Sequence, residues 1–369
     1  MNPLLTGRAL NRATLDRQFL LSRTDRSIAD VVTHLGGLQA QTPHTWYTGL
    51  WNRIEGFRAA DASALLESRA LVRLALQRST IHLVTAGDCL AMRPLLQVVT
   101  ERMTRTTFVR RLDGVDLGEL AAYGREVVEA EPVTFAALGR ALAERWPGND
   151  PHVLSQVVRW LVPLVQVPPR GLWGRSGPIA HTSAESWLGF EAPPMTPAEL
   201  VTRYLRAFGP ATVMDAQTWS GLTRLGEVVE SMDLVRFRDE AGRTLYDLPD
   251  LADLGHPSPE ISAPVRLMYD FDNLFLSYAD RSRVITEAGF AALNGFMGTN
   301  VMPRIILVDG VTAGDWTVTR ARKVSTLGIH QWEPIKDLDA VAEEGMRLLE
   351  FLAPGDKHEI SVFDGPSKS

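Results

Sequence analysis

The chain has 369 residues, 45% of them hydrophobic and 22% charged, and 38 basic against 44 acidic side chains give a formal charge of −6. Its one cysteine, Cys89, excludes an internal disulfide, a cysteine-based zinc finger and an iron–sulfur cluster. The lysines are Lys323, Lys336, Lys357 and Lys368 only, so chemistry that needs a side-chain amine has no candidate in the first 322 residues.

Residues 1–17 lack the apolar core of a signal peptide. No stretch reaches the roughly 18 apolar residues of a membrane helix, which predicts a soluble cytoplasmic protein. Residues 27–38 and 45–54 carry helical apolar spacing, and Asp61 and Ser63 are candidate N-caps for a helix over 64–68. Strand-like runs follow at 71–76 and 80–84. A helix start near Asp88 would bury Cys89 as a structural thiol. In the next segment, 135–145 and 153–161 read as helices and 164–167 and 178–181 as strands. In the third, helices over 197–207, 213–219 and 225–232 precede a hairpin of 234–238 and 244–248, with Phe208-Gly209-Pro210 marking a turn. Helices followed by a two-stranded ribbon, three times over, is the order of tandem winged helix-turn-helix units.

From about residue 260 the pattern changes. Strands are predicted over 264–268, 274–276, 304–308, 315–319 and 328–332, with a turn over Asp309–Gly314 and a closing helix over Leu338–Leu352. Short strands with glycine turns suggest a barrel-like sheet. The tail from Pro354 reads as polar and frayed. The domain boundaries are therefore set at 1–110, 111–191, 192–258 and 259–369. The fold class is α+β: three winged units and a C-terminal β-barrel-like domain. The eight histidines show neither HxH nor HExxH spacing, so neither a metal site nor a cofactor is expected.

Charge is uneven. Residues 1–110 hold 14 arginines and 8 carboxylates, a net +6, leaving −12 for the remainder. Arg69, Arg73, Arg78, Arg102, Arg105, Arg110 and Arg111 cluster around the first ribbon and the following linker. Few acidic residues lie nearby, and the arginine fork suits phosphate, so these arginines are read as contacts to a duplex backbone. The competing reading pairs them with carboxylates inside the fold.

Gly36-Gly37-Leu38-Gln39-Ala40-Gln41 interrupts the first helical run. The glycines permit a bend, and Gln39 and Gln41 share a face only where the chain is extended or kinked. With Arg78-Ser79-Thr80-Ile81-His82-Leu83-Val84, Asp272-Asn273-Leu274-Phe275-Leu276-Ser277-Tyr278-Ala279-Asp280-Arg281, and Leu307-Val308-Asp309-Gly310 with Gly314 and Trp316, this motif resembles the winged-helix DNA glycosylases of the AlkZ/YcaQ superfamily. It is similar to the AlkZ branch, whose motif is Gln-apolar-Gln, rather than the Gln-apolar-Asp of the YcaQ branch. The resemblance implies a C-shaped, monomeric clamp on double-stranded DNA. It implies hydrolysis of the N-glycosidic bond of N7-alkylated guanine, including interstrand crosslinks from azinomycin-like agents. Gln39 and Gln41 are then the catalytic pair. Arg69, Arg73, Arg78, Thr80, His82, Arg105, Arg110, Thr299 and Asn300 are the candidate DNA contacts, the last two lying in the loop 295–300. This loop and the Asp309–Gly314 turn are the two candidates for a groove-probing hairpin. The scarcity of lysine points to a monofunctional enzyme without lyase activity. A non-enzymatic winged-helix transcription regulator, or a protein that sequesters the alkylating drug, fits the element pattern as well.

Overall fold

The computed structural model describes residues 2–296 and 301–367, so Thr299 and Asn300 lie outside the described residues. Three segments repeat one topology. In the first, helices Ile28–His34, Trp46–Trp51 and Ala59–Glu67 precede strands Leu71–Ala75 and Ile81–Thr85. In the second, helices Leu117–Ala130, Phe135–Arg145 and Pro151–Leu161 precede Leu164–Gln166 and Ala180–Ser183. In the third, Pro197–Phe208, Val213–Ser220 and Leu225–Ser231 precede Val235–Asp239 and Thr244–Asp247.

Each segment also inserts a short extended piece between its first two helices, and that piece pairs with the last strand. Leu38–Gln39 pairs with Ile81–Thr85, Val133–Thr134 pairs with Ala180–Ser183, and Ala211 bridges to Tyr246. The first two ribbons join edge to edge, Arg73 opposite Gln166 and Leu74 opposite Val165, in one six-stranded sheet.

Several expectations are corrected. The helix expected over 27–38 ends at His34, because Gly36 and Gly37 adopt φ of +65° and +93°, values that helix geometry excludes. The helix expected at 64–68 begins at Ala59, placing Asp61 in its first turn rather than at a cap. Thr85, whose hydroxyl accepts from the Asp88 amide, opens a 22-residue helix, Ala86–Thr107, that runs through Pro94. Its start agrees with the one expected near Asp88, and Cys89 is buried as expected.

The C-terminal segment forms a five-stranded sheet of linear order: Arg266–Leu267, Arg304–Val308, Val311–Ala321, Val324–Gln331 and Lys357–Asp364. The tail expected to fray is its last strand. It runs parallel to Val324–Gln331 after the crossover helix Leu338–Leu352, with Ile360 packed on the apolar cluster around Leu327 and Leu348. The run 274–276 is not a strand. Asp272 caps it, its carboxylate accepting from the Leu274 amide at 2.9 Å, and Asn273–Phe275 turns as a short 3-10 helix.

The turn at Asp309-Gly310 is tucked inward. Asp309 pairs with Arg8 and Arg12, and a Cβ on Gly310 would lie 2.5 Å from Leu15, so this turn is not a groove-probing hairpin. The charge asymmetry is largely settled the same way. Arg17 pairs bidentately with Asp247 at 2.7 Å, Arg53 with Asp272 at 2.9 and 3.0 Å, and Arg23 with Glu344 at 3.0 Å. Five of the 14 arginines of residues 1–110, Arg8, Arg12, Arg17, Arg23 and Arg53, thus meet carboxylates more than two hundred residues away.

Candidate active site

The Gly36-Gly37 bend redirects the chain out of its helix and into an extended run. The Gly36 carbonyl accepts from Gln77 Nε2 at 2.7 Å, and the Gly37 carbonyl from Asn273 Nδ2 at 3.0 Å. A Cβ on Gly37 would sit 2.7 Å from Val84 Cγ1 and 3.0 Å from the Leu83 carbonyl, so only glycine lets this chain approach the neighbouring strand. Pairing then continues past Gln39, the Ala40 amide donating to the Ile81 carbonyl at 2.7 Å. An extended chain alternates its side chains. Ala40 points into the core at 1% exposure, while Gln39 and Gln41 both line the same cleft.

The two amides are held differently. Gln39 is 4% exposed, and its Oε1 accepts from Arg78 Nη2 at 2.8 Å. Gln41 is exposed, and its Oε1 accepts only a long bond from the Ile81 amide at 3.3 Å. Arg78 sits at the tip of the first ribbon, where Arg78 and Ser79 take left-handed φ of 53° and 60°. From there its guanidinium also reaches the Trp219 carbonyl at 2.7 Å and Asn273 Oδ1 at 3.2 Å. One side chain therefore ties the first segment, the third segment and the C-terminal segment at the glutamine. Burial lowers Arg78 to about 10, which still leaves it a cation at neutral pH.

The cleft has a volume of about 890 Å³. Its polar side carries Gln39, Gln41, Arg78, Ser79, Thr80, Arg159 and Arg281. Its apolar side carries Met103, Phe271, Phe290, Leu293, Phe296 and Met302. Among the described residues no carboxylate, cysteine or lysine lines it. Such a lining favours an anionic ligand with a flat apolar portion and offers neither a carboxylate base nor an amine nucleophile.

Of the residues singled out in the sequence, Gln39, Gln41, Arg78 and Thr80 come together here. His82 is corrected. It lies opposite Gln39 in the ladder but is fully buried, with Nδ1 on the Thr80 carbonyl at 2.9 Å, and burial and the Arg78 charge lower it to about 3. A neutral, enclosed imidazole does not reach DNA. Arg73 is corrected as well: it is 2% exposed inside the six-stranded sheet and donates to the Ala40 carbonyl at 2.8 Å, supporting the glutamine strand from behind. Arg69 stacks on Trp187 at 3.9 Å, and Arg111 pairs with Asp150 at 3.1 Å. Arg102, Arg105 and Arg110 are exposed and form no ion pair among the described residues. Cys89 is buried and its thiol is pushed up to about 12, a structural group. No group of three or more His, Cys, Asp or Glu side chains that could hold a metal occurs among the described residues. No helix among them is long and apolar enough to cross a membrane.

The lining residues that sequence reading did not single out include Arg159, Phe271 and Arg281. Arg281 closes the Asp272–Arg281 motif and Phe271 immediately precedes it, so their neighbourhood was visible although their direction was not. Arg159, on the third helix of the second segment, carried no signal: its place opposite the glutamines depends on how the segments pack.

Helix triplets ending in ribbons, with a cleft lined by Arg78, Arg159 and Arg281 and by no carboxylate among the described residues, define a fold whose cleft suits an anionic ligand. The fold matches the solved structure of the Streptomyces sahachiroi DNA glycosylase AlkZ with a TM-score of 0.74 and 19% identity, over 97% of this chain and 99% of that one. No curated protein matches by sequence. A family model described as DNA glycosylase AlkZ-like matches residues 32–351. The chain belongs to the AlkZ-like DNA glycosylase family.

Proposed function

We propose that this protein is a monofunctional DNA glycosylase that hydrolyses the N-glycosidic bond of N7-alkylated guanine, with Gln39 and Gln41 holding the attacking water. The observation that carries this reading is the placement of both glutamine side chains in one cation-lined cleft that, among the described residues, is lined by no acid and no amine. Alkylation at N7 makes the base a cation and a good leaving group, so little general-acid help is required. Water oxygen bonds to C1′, the C1′–N9 pair leaves to N9 and neutralises the base, and the water proton passes to solvent. What remains for the protein is placement and electrostatics.

A glutamine carbonyl has two lone pairs and its amide two donors. Arg78 takes one lone pair of Gln39 and fixes the plane of that amide. Its other lone pair and the freer Gln41 carbonyl accept from water, while the amide N–H groups donate to sugar-phosphate oxygens. Arg78, Arg159 and Arg281 supply the positive lining for the phosphates. The absence of lysine from the cleft lining supports release of the base without strand cleavage. The threefold topology supports winged-helix units at 1–110, 111–191 and 192–258, followed by a C-terminal β-barrel-like domain, forming a clamp that a single chain completes. Crosslinks of the azinomycin type are the proposed bulky substrates, since a cleft rather than a closed pocket accepts a base still tied to the opposite strand.

The test is incubation with duplex containing N7-methylguanine or an N7-linked interstrand crosslink, followed by alkaline cleavage of abasic sites. Wild-type protein should release the base and leave the strand uncut before alkali. Gln39→Ala and Gln41→Ala should bind the same duplex yet release base roughly 10²-fold more slowly or worse. Full-rate release by both variants would remove the pair from the mechanism. No release by wild type would favour the regulator.

A further inference from the structure

We propose that the ring of Phe271 is the recognition face for the charged base: the cationic alkylated guanine stacks on it, and this contact discriminates the lesion from neutral guanine. The inference rests on the glycosylase reading above and adds to it the residue that senses the lesion's charge.

Phe271 adopts φ of +60°, a left-handed conformation that a bulky L side chain rarely takes. Its two sides explain how it is held. Thr42, next to Gln41, donates its hydroxyl to Asp270 Oδ2. On the other side Asp272 is locked by Arg53 at 2.9 and 3.0 Å, and Asn273 donates to the Gly37 carbonyl at 3.0 Å. Phe271 is thus fastened before and after to the stretch that carries the glutamines, and it faces the same cleft. Strain maintained by flanking anchors is characteristic of ligand-contacting positions.

Packing does not explain the conformation. Phe271 is half-buried, belongs to none of the hydrophobic clusters, and makes no ring–ring or cation–π contact among the described residues. The other aromatic rings of the cleft are occupied or enclosed. Trp160 carries the Arg159 guanidinium at 4.6 Å, Phe290 carries that of Arg281 at 5.7 Å, and Phe296 is 7% exposed. The face of Phe271 remains for a cation from outside. An aromatic face attracts a cation through its quadrupole, an attraction that neutral guanine lacks.

The experiment compares binding to two duplexes. One holds a 2′-fluoro-stabilised N7-methylguanine, which is cationic; the other holds 7-deaza-7-methylguanine, its neutral counterpart of the same shape. Wild type should prefer the cation by roughly three- to thirty-fold, the size of one cation–π contact. Phe271→Leu should bring the ratio close to one, and Phe271→Trp should keep it. Phe271→Gly should excise N7-methylguanine more slowly without a lower melting temperature, because glycine accepts the left-handed backbone. A Phe271→Leu protein with the wild-type ratio overturns the proposal, as does a glycine variant whose stability falls in step with its excision. Wild-type protein that neither excises nor discriminates overturns the glycosylase reading itself, whereas excision with an unchanged Leu ratio overturns only this inference.

Discussion

Replacing Arg78 by methionine keeps an unbranched but shorter side chain and removes its charge and its five donors. The structure gives the size of the effect. Arg78 makes hydrogen bonds at 2.8, 2.7 and 3.2 Å to Gln39, Trp219 and Asn273, each acceptor on a different segment. Bonds from a charged donor contribute about 1.5–3 kcal/mol each, a gross of roughly 4.5–9 kcal/mol. Burial works against the cation: lowering Arg78 to about 10 corresponds to roughly 3 kcal/mol. The net is a destabilisation of about 1.5–6 kcal/mol in Arg78→Met, read as a lower urea midpoint at unchanged m. Arg78→Lys should fall between the two, because one ammonium cannot span three acceptors as a planar fork does. Single-turnover base release, measured where the variant is still folded, should fall because Gln39 is then free to rotate, and duplex affinity should fall with it because one cation of the phosphate-facing lining is lost. A methionine variant within 0.5 kcal/mol of wild type, or one that releases base at the wild-type rate, refutes the role assigned to this clamp.

Two further expectations concern charge. Arg102, Arg105 and Arg110 are exposed and unpaired among the described residues, so alanine at each should leave stability within about 0.5 kcal/mol. If each contacts a phosphate, the slope of log K against log salt for duplex binding should drop by about 0.9 per replacement, and an unchanged slope places that arginine off the DNA. Burial lowers His82 and His181 to about 3 and His34 to about 4. The unfolded chain therefore binds protons near pH 6.5 that the folded chain refuses. Stability is complete above pH 6.5 and falls as pH drops, by up to roughly 2 kcal/mol per histidine at pH 5. Urea titrations should show that slope, and His82→Gln should flatten it by the share of one histidine among the five that burial lowers; an unchanged slope in that variant contradicts the assignment.

Local rules were enough for much of the fold. Phe135–Arg145 and Leu338–Leu352 appear at the residues their apolar spacing predicts, since each buries one stripe on a single neighbouring layer. Thr196 opens its helix with a capping box to Glu199, and Gly242 at φ +77° turns the hairpin expected between 234–238 and 244–248. The strand Lys357–Asp364 is polar on its exposed side and reads as a tail, because its pairing partner comes from Val324–Gln331 and its register cannot be seen from within. The helix Ala86–Thr107 starts close to the expected position near Asp88, but its 22-residue length escapes notice.

The sequence alone established the scarcity of lysine, the excess of arginine in the first 110 residues, and a glycine pair that ends a helix just before two glutamines. Those facts follow from composition and backbone stereochemistry, which need no partner. Tertiary structure decided what each charge does. A sequence window counts only neighbours, and the carboxylates that meet Arg17, Arg23 and Arg53 arrive from Asp247, Glu344 and Asp272. Burial then enclosed Arg73 and His82 and left Arg78 at the cleft. Whether Gln39 and Gln41 share a face depended on one hydrogen-bonded ladder, Leu38–Gln39 against Ile81–Thr85, which only the folded chain can form.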